Sequence, residues 1–336
     1  MRLTRTKQNI FMRNITFTQM IRETLEAEMK RDETVFLMGE DIGVYGGAFG
    51  TSRGLINIFG EKRIRDTPIS EQAITGIAIG AAVAGQRPVI EIMFMDFITL
   101  AVDQMVNMAA KLHPIYEQNC PLVLRTPPGG GRGYGATHSQ SLERLFFGIP
   151  GIKIVAPSTA KDASALLQSS IRDNNPVIFL EHKLLYPIRF EVEDTLPQPT
   201  PLGFAKVTRE GEDVTIIAWS YMSHLARQAA SRLAEDDIEA EVIDLCTIAP
   251  LDIETIVESV KATGRVMIIE EGPITGGIAA EIAAQITEHA FEYLDYPVKR
   301  VAGPDLPVPA AKNLEAPGIP SVPTIVKAAT ELVLAD

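Results

Sequence analysis

Glu71 is the first residue along the chain whose surroundings suggest chemistry. It follows Ser70 at the head of a helical stretch, and residues 74–85 behind it carry no charge at all. A carboxylate set against such an apolar wall is one that can share a proton with a ligand nitrogen. A plainer reading is open at this point: an acid favoured by the dipole at a helix N-terminus, with Ser70 as its cap. His138 invites a similar choice. It closes a glycine-rich loop, residues 127–137, with five glycines. Imidazole suits proton transfer near neutral pH, and glycines let a ligand approach closely. A polar residue closing a turn needs no such role.

Other patterns carry less weight. Gly50-Thr51-Ser52-Arg53-Gly54 matches the hydrolase pattern G-x-S-x-G. A nucleophile elbow must sit on a sharp turn directly between a strand and a helix, whereas a long glycine-rich loop precedes Ser52. Residues 131–136 match a dinucleotide fingerprint, yet no acid follows at a strand end to hold a ribose. No Walker-type lysine motif occurs, and His113, His138, His182, His224 and His289 never approach metal-ligand spacing.

These residues need strands and helices to position them. Residues 17–30 place Phe17, Met20, Ile21, Leu25 and Met29 at helical spacing. Residues 35–38 read as a buried strand, followed by a glycine-rich loop at 39–54. Residues 70–84 are apolar or small on nearly every face, which predicts a helix buried all round. Strands at 89–94, 121–125, 152–156 and 177–180 alternate with helices at 97–112 and 161–172. Pro187, Pro197, Pro199 and Pro201 then break the pattern. Beyond them, strands at 214–219, 240–245, 266–269 and 298–301 alternate with helices at 222–234, 253–262, 278–289 and 324–334. Apolar, β-branched strands separated by helices predict parallel sheets covered on both faces. The fold class is therefore α/β with two domains, residues 15–186 and 204–336. An N-terminal extension at 1–14 and a proline-rich linker at 187–203 complete the chain.

Composition removes whole classes of function. With 336 residues, 46% hydrophobic and 22% charged, the chain can bury two ordinary cores and is not intrinsically disordered. No apolar run nears the roughly 20 residues of a membrane span. A formal charge of -12 argues against nucleic acid and anionic membrane as partners. Cys120 and Cys246 are too few for a disulfide framework, which fits a reducing compartment. The first 13 residues hold Arg2, Arg5, Lys7 and Arg13 without an acid, but lack the apolar stretch of a secretory signal. The expected location is the cytoplasm, with an organellar matrix as the alternative.

A set of short motifs then occurs in order: Met38-Gly39-Glu40-Asp41-Ile42-Gly43, Asp66-Thr67-Pro68-Ile69-Ser70-Glu71, Glu91-Ile92-Met93-Phe94-Met95-Asp96-Phe97 and Asp103-Gln104-Met105-Val106-Asn107. His138-Ser139-Gln140-Ser141, Pro150-Gly151-Ile152-Lys153-Ile154-Val155, Ile171-Arg172-Asp173-Asn174-Asn175-Pro176 and Glu241-Val242-Ile243-Asp244-Leu245 follow. The set, spanning nearly the whole chain, resembles the beta subunit of the thiamine-diphosphate-dependent 2-oxo acid dehydrogenases, the pyruvate, branched-chain and acetoin group. The resemblance implies a transketolase-like pyrimidine-binding domain and a transketolase C-terminal-type domain in an α2β2 heterotetramer. Thiamine diphosphate would lie between an alpha and a beta subunit. The alpha subunit would supply the Gly-Asp-Gly motif that holds Mg2+ and the diphosphate; no Gly-Asp-Gly occurs in this chain.

By motif position, Glu71 matches the glutamate that hydrogen-bonds N1′ of the aminopyrimidine. Phe97 matches the aromatic residue against the ring, and Ile69 and Met93 match neighbouring wall positions. His138 matches the histidine linked to proton transfer and to reductive acylation of the lipoyl group. Leu122, Ser170, Ile171, Asp173 and Asn175 match a potassium site of some members, built largely from backbone carbonyls. Cys246 stands where the family usually has arginine. The implied reaction is oxidative decarboxylation of a 2-oxo acid, pyruvate first, with acyl transfer to lipoyl-lysine of an acyltransferase core. That core would dock through its peripheral-subunit-binding domain, and the charge of -12 suits a basic partner there. The competing readings are an acetoin or branched-chain enzyme, a non-catalytic heteromer scaffold, and a hydrolase built on Ser52.

Overall fold

The structure is a computed structural model that describes residues 11–335. The basic segment 1–10 lies outside the described residues. The chain opens with strand β1 (Met12–Thr16) and helix α1 (Phe17–Arg31), joined by a capping box in which Thr16 and Gln19 satisfy each other's backbone N–H groups. Strand β2 (Val35–Gly39), helix α2 (Leu55–Phe59), strand β3 (Ile64–Asp66), helix α3 (Glu71–Val83) and strand β4 (Arg87–Glu91) follow. Next come helix α4 (Ala110–Tyr116), strands β5 (Val123–Thr126) and β6 (Lys153–Val155), helix α5 (Ala160–Arg172) and strands β7 (Val177–Leu180) and β8 (Arg189–Glu193).

Strands β6, β7, β5, β4, β2 and β3 are hydrogen-bonded in that order and all run parallel. Their register places Asp66, Gly39, Glu91, Arg125 and Phe179 in one row across the sheet. Every loop leaving that row emerges on the same edge, the carboxyl edge where open α/β sheets bind ligands. Gly39 is required in the row because a Cβ there would lie 2.7 Å from the Glu91 carbonyl. One face of the sheet packs Phe17, Ile21, Leu25 and Leu167 from α1 and α5, and the other packs Ile74 and Ala78 from α3.

The second half supplies strands β9 (Lys206–Arg209) and β10 (Val214–Ala218), helix α6 (Ser220–Leu233), strands β11 (Ala240–Asp244) and β12 (Thr247–Ala249), helix α7 (Ile253–Thr263) and strand β13 (Val266–Pro273). Helix α8 (Ile278–Ala290), strand β14 (Lys299–Gly303) and helices α9 (Lys312–Glu315) and α10 (Val322–Val333) complete it. Its sheet runs β14-β13-β10-β11-β9, parallel except for β9 at the edge. Strand β12 leaves this half and pairs antiparallel with β6, so the first sheet has seven strands and the halves share a sheet edge.

The structure differs from expectation in three places. Residues 12–14, expected in an N-terminal extension, lie in β1, which pairs antiparallel with β8 inside the expected linker. The irregular stretch 95–109 replaces a regular helix with a 3₁₀ segment (Met95–Ala101) and a π segment (Gln104–Ala109). Helix α3 is buried on one face only: Ile77 is 58% exposed and Val83 43%. The outer face is apolar but finds no cover among the described residues.

Candidate active site

Site residues leave the shared edge one loop at a time. Glu40 follows β2, Ile69 and Glu71 follow β3, Met93 and Phe97 follow β4, and His138 follows β5. A buried charge network ties these exits together. Arg125 on β5 donates from Nε and Nη2 to Glu181 just past β7, both at 2.7 Å, and from Nη1 to Glu91 on β4 at 2.9 Å. Tyr186 and Thr51 each add a hydroxyl bond of 2.9 Å, to Glu181 and Glu91 respectively. Burial alone would lower the Arg125 pKa, but Glu181 and Glu91 outweigh it and raise it. The guanidinium therefore stays charged and pins the ends of three strands and the 39–54 loop.

Glu71 opens α3 and is 5% exposed. Ser70 makes no side-chain capping bond, so the plain capping arrangement is not what the structure shows. Glu40 sits near enough that the Glu71 charge, after burial, raises its pKa, and its Oε1 is buried without a partner. Helix α3 packs against the Met95–Ala101 segment that carries Phe97. The Phe97 and Phe94 rings meet edge-on, with centroids 6.2 Å apart, and both meet the His138 ring edge-on at 5.3 and 4.9 Å. Thr137 Oγ1 lies 3.0 Å from His138 Nδ1. Met93 and Phe97 are half-buried, and Ile69 is 84% exposed. Phe97 and His138 thus form one aromatic wall, and Glu71 heads the helix packed against the segment that carries Phe97. Buried Glu71 and half-buried Glu40 thus form a carboxylate pair with one oxygen, Glu40 Oε1, left without a partner.

Ser52 and the carbonyls matched to a potassium site have hydrogen-bond partners within the chain. Ser52 Oγ donates to the Ile42 carbonyl at 2.7 Å, so its proton holds a loop rather than facing a base. Around the carbonyls matched to a potassium site, Arg87 Nη1 donates to Ile171 O at 3.0 Å and to Asp173 O at 2.9 Å. Leu122 O accepts from Val177 N at 2.8 Å and Ser170 O from Asp173 N at 3.3 Å. Asn175 N bonds the Asp173 carboxylate at 2.8 Å. Arg87 thus meets two of these carbonyls, those of Ile171 and Asp173. Cys246 lies within 4.8 Å of Asp162 and Asp244 as the one candidate metal-binding group among the described residues. Lys206 already pairs with Asp162 and Arg227 with Asp244, so these cations balance the carboxylates beside Cys246.

Comparison with known proteins agrees with this geometry. The family profile described as "Transketolase, pyrimidine binding domain" matches residues 13–189, and "Transketolase, C-terminal domain" matches residues 203–325. "Pyruvate dehydrogenase E1 component subunit beta" of Rickettsia bellii is 46% identical over 316 residues, covering 94% of this chain and 97% of that one. The chain belongs to the transketolase-like beta subunits of the 2-oxo acid dehydrogenases. The similarly named mitochondrial protein of Dictyostelium discoideum is 44% identical over 94% of this chain and 90% of its own. "2-oxoisovalerate dehydrogenase subunit beta" of Bacillus subtilis is 45% identical over 90% of this chain and 93% of its own. A solved structure titled "Split gene transketolase, inactive beta4 tetramer" shares the fold at a TM-score of 0.77 and 22% identity, covering 95% and 98% of the two chains. No described helix of the beta subunit is long and apolar enough to cross a membrane.

The beta subunit also brings residues to the site that sequence reasoning passed over. Glu40 stands in a quoted motif, yet only the fold places it beside Glu71. Lys183 is fully buried, donates to His138 O at 2.7 Å and lies 5.2 Å over the Phe94 ring. Burial pushes its pKa down to about 8 against Asp96 and Glu271.

One carboxylate gives the beta subunit a pH-dependent stability. Glu270 on β13 accepts from Ile278 N at 3.0 Å, while its Oε1 is buried without a partner. Burial, then the neighbouring Glu143, raise its pKa from 4.5 to about 7, against the opposing α8 backbone N–H groups and Arg300. Below pH 4.5 both states hold the proton and the stabilisation is complete; it is lost as pH rises through about 7. Glu270→Gln should therefore melt higher than the wild type at pH 8 and close to it near pH 5. A Tm difference that is the same at both values would contradict this.

Proposed function

We propose that this beta subunit joins an alpha subunit in an α2β2 enzyme that oxidatively decarboxylates a 2-oxo acid, with pyruvate as the first candidate, and passes the acyl unit to lipoyl-lysine. The observation that supports this most is Glu71, buried beside Glu40 at the head of α3, which packs against the segment carrying Phe97. When bound, thiamine diphosphate supplies the nucleophilic carbon and the electron sink for decarboxylation. Glu71 would hold the pyrimidine N1′ and share a proton with it. Phe97, Met93 and Ile69 would form the wall beside the ring. His138 would move the proton that accompanies acyl transfer to the lipoyl group. Mg2+ and the diphosphate would fall to the alpha subunit.

The bare face of α3 supports the heteromer. Ile77 and Val83 are exposed there, Ile69 is exposed just before the helix, and Val44 and Tyr45 after β2 are 87% and 68% exposed. An apolar face of that kind on a folded subunit marks an interface. Ile77→Glu should leave the lone chain folded, since its side chain is mostly exposed, while blocking assembly with the alpha subunit. Sedimentation of the mixed subunits would show separate species; an intact heterotetramer would count against this face.

The function itself is tested with the assembled enzyme on pyruvate, 3-methyl-2-oxobutanoate and acetoin, following thiamine-diphosphate-dependent reduction of a lipoyl domain. Turnover of pyruvate well above the other two is expected. A preference for 3-methyl-2-oxobutanoate or acetoin would reassign the substrate, and no turnover of any would leave the scaffold reading standing.

A further inference from the structure

The loop that ends in His138 has no helix or strand of its own, so something else must set its shape. Its glycines alternate into the left-handed region, with φ of 98° at Gly129, 85° at Gly131, 73° at Gly133 and 77° at Gly135. Such alternation turns successive backbone N–H groups toward one side, making a concavity that accepts an anion. Two carboxylates from the second half of the chain fill it. Gly130 N donates to Glu271 Oε1 at 2.6 Å, Gly131 N to Glu315 Oε1 at 2.9 Å and Gly133 N to Glu315 Oε2 at 2.8 Å.

We propose that Glu315, assisted by Glu271, is a positioning residue for His138, so that the C-terminal domain sets the geometry of acyl transfer. The inference rests on the role given to His138 above. Glu315 closes α9 and is 2% exposed, and each of its oxygens takes one loop N–H. Only a carboxylate can do this, because an amide of the same shape would turn a donor toward one of those donors. Glu271 is held at its other oxygen by His182 Nε2 at 2.5 Å. The fit leaves no room to shift: a Cβ on Gly129 would lie 1.9 Å from His182 Nε2, and one on Gly133 3.0 Å from Ala310 O. At the far end of the loop, His138 N donates to Gly135 O at 3.2 Å and Lys183 Nζ holds His138 O at 2.7 Å. The loop is therefore fixed at both ends, and the imidazole inherits its place from bonds up to 184 residues apart in sequence.

The test uses the full chain assembled with its alpha subunit and compares Glu315→Gln, Glu271→Gln and His138→Ala. Three readouts are taken: acyl transfer to a lipoyl domain, decarboxylation with ferricyanide as electron acceptor, and amide hydrogen exchange of the peptide 129–138. Glu315→Gln should raise exchange in that peptide and slow acyl transfer about 10–100-fold, the scale of a roughly 1 Å misplacement. Ferricyanide-linked decarboxylation should change less than about threefold in the same protein, since acyl transfer is the step assigned to His138. Glu271→Gln, which disturbs one loop bond, should give the same pattern with a smaller loss. Equal loss in both reactions would mean a general structural role and overturn the proposal. Slowed acyl transfer in His138→Ala with none in Glu315→Gln would overturn the positioning role alone. Unchanged acyl transfer in His138→Ala would remove the reading of His138 and the proposal with it.

Discussion

In the assembled enzyme, Glu71→Ala should slow exchange of the cofactor C2 proton by about 10²–10⁴-fold, the range that a positioned acid or base contributes. The loss should be chemical rather than structural. Alanine is the best helix former, and removing an acid from a first turn costs only about 0.3–1 kcal/mol. The buried face of α3 (Ile74, Thr75, Ala78, Ile79 and Ala82) is untouched. What disappears is the carboxylate beside Glu40, and Glu40 cannot simply take over because it lies on the exit of β2 rather than at the head of α3. Quenched-flow exchange in D2O, read by NMR on the released cofactor, measures the rate directly. A rate like wild type would remove Glu71 from the proton path.

The second large effect concerns the sheet edge that carries the site. Arg125→Met would leave Glu91 and Glu181 without their cation, both nearly fully buried. Breaking a buried pair from one side costs about 3–5 kcal/mol, because a buried charge is left uncompensated. For a unit of this size about 1 kcal/mol moves Tm by roughly 2–4 °C, so a fall of roughly 6–20 °C is expected. Replacing the partners as well, in Glu91→Leu/Arg125→Met/Glu181→Leu, should recover most of it, since an apolar set of similar volume is often as stable as a buried triad. Calorimetry of both proteins decides the matter. A single variant within about 2 °C of wild type would show that the network stabilises little, whatever its geometry.

How much of this was readable in advance depends on the range of the interactions involved. Continuous apolar runs such as Val177–Leu180 and helical repeats such as those of α1 and α5 are local signals, and the structure has them where the pattern put them. Strands β1 and β8 were not readable: each is short and largely exposed, and their pairing joins the two ends of the first domain. Strand β12 belongs by sequence to one half and by hydrogen bonding to the other. The bare face of α3 looked like core because its residues are apolar all round, and a sequence does not say which molecule covers a face. At the site, Glu71 showed itself through its uncharged neighbours and His138 through its glycines. Glu271, Glu315 and Lys183 gave no signal, since each acts on a loop 45 or more residues away. The carbonyls matched to a potassium site carried no side-chain signature, and only the fold brings Arg87 onto two of them.

The central claim is that this chain holds one wall of an active site and its partner the other. It is tested most directly by purifying the chain alone, purifying it again with its alpha subunit, and measuring thiamine-diphosphate-dependent 2-oxo acid decarboxylation in both. Activity should be absent from the lone chain and appear on adding the alpha subunit, saturating at one alpha per beta. Full activity from the lone chain would contradict the account.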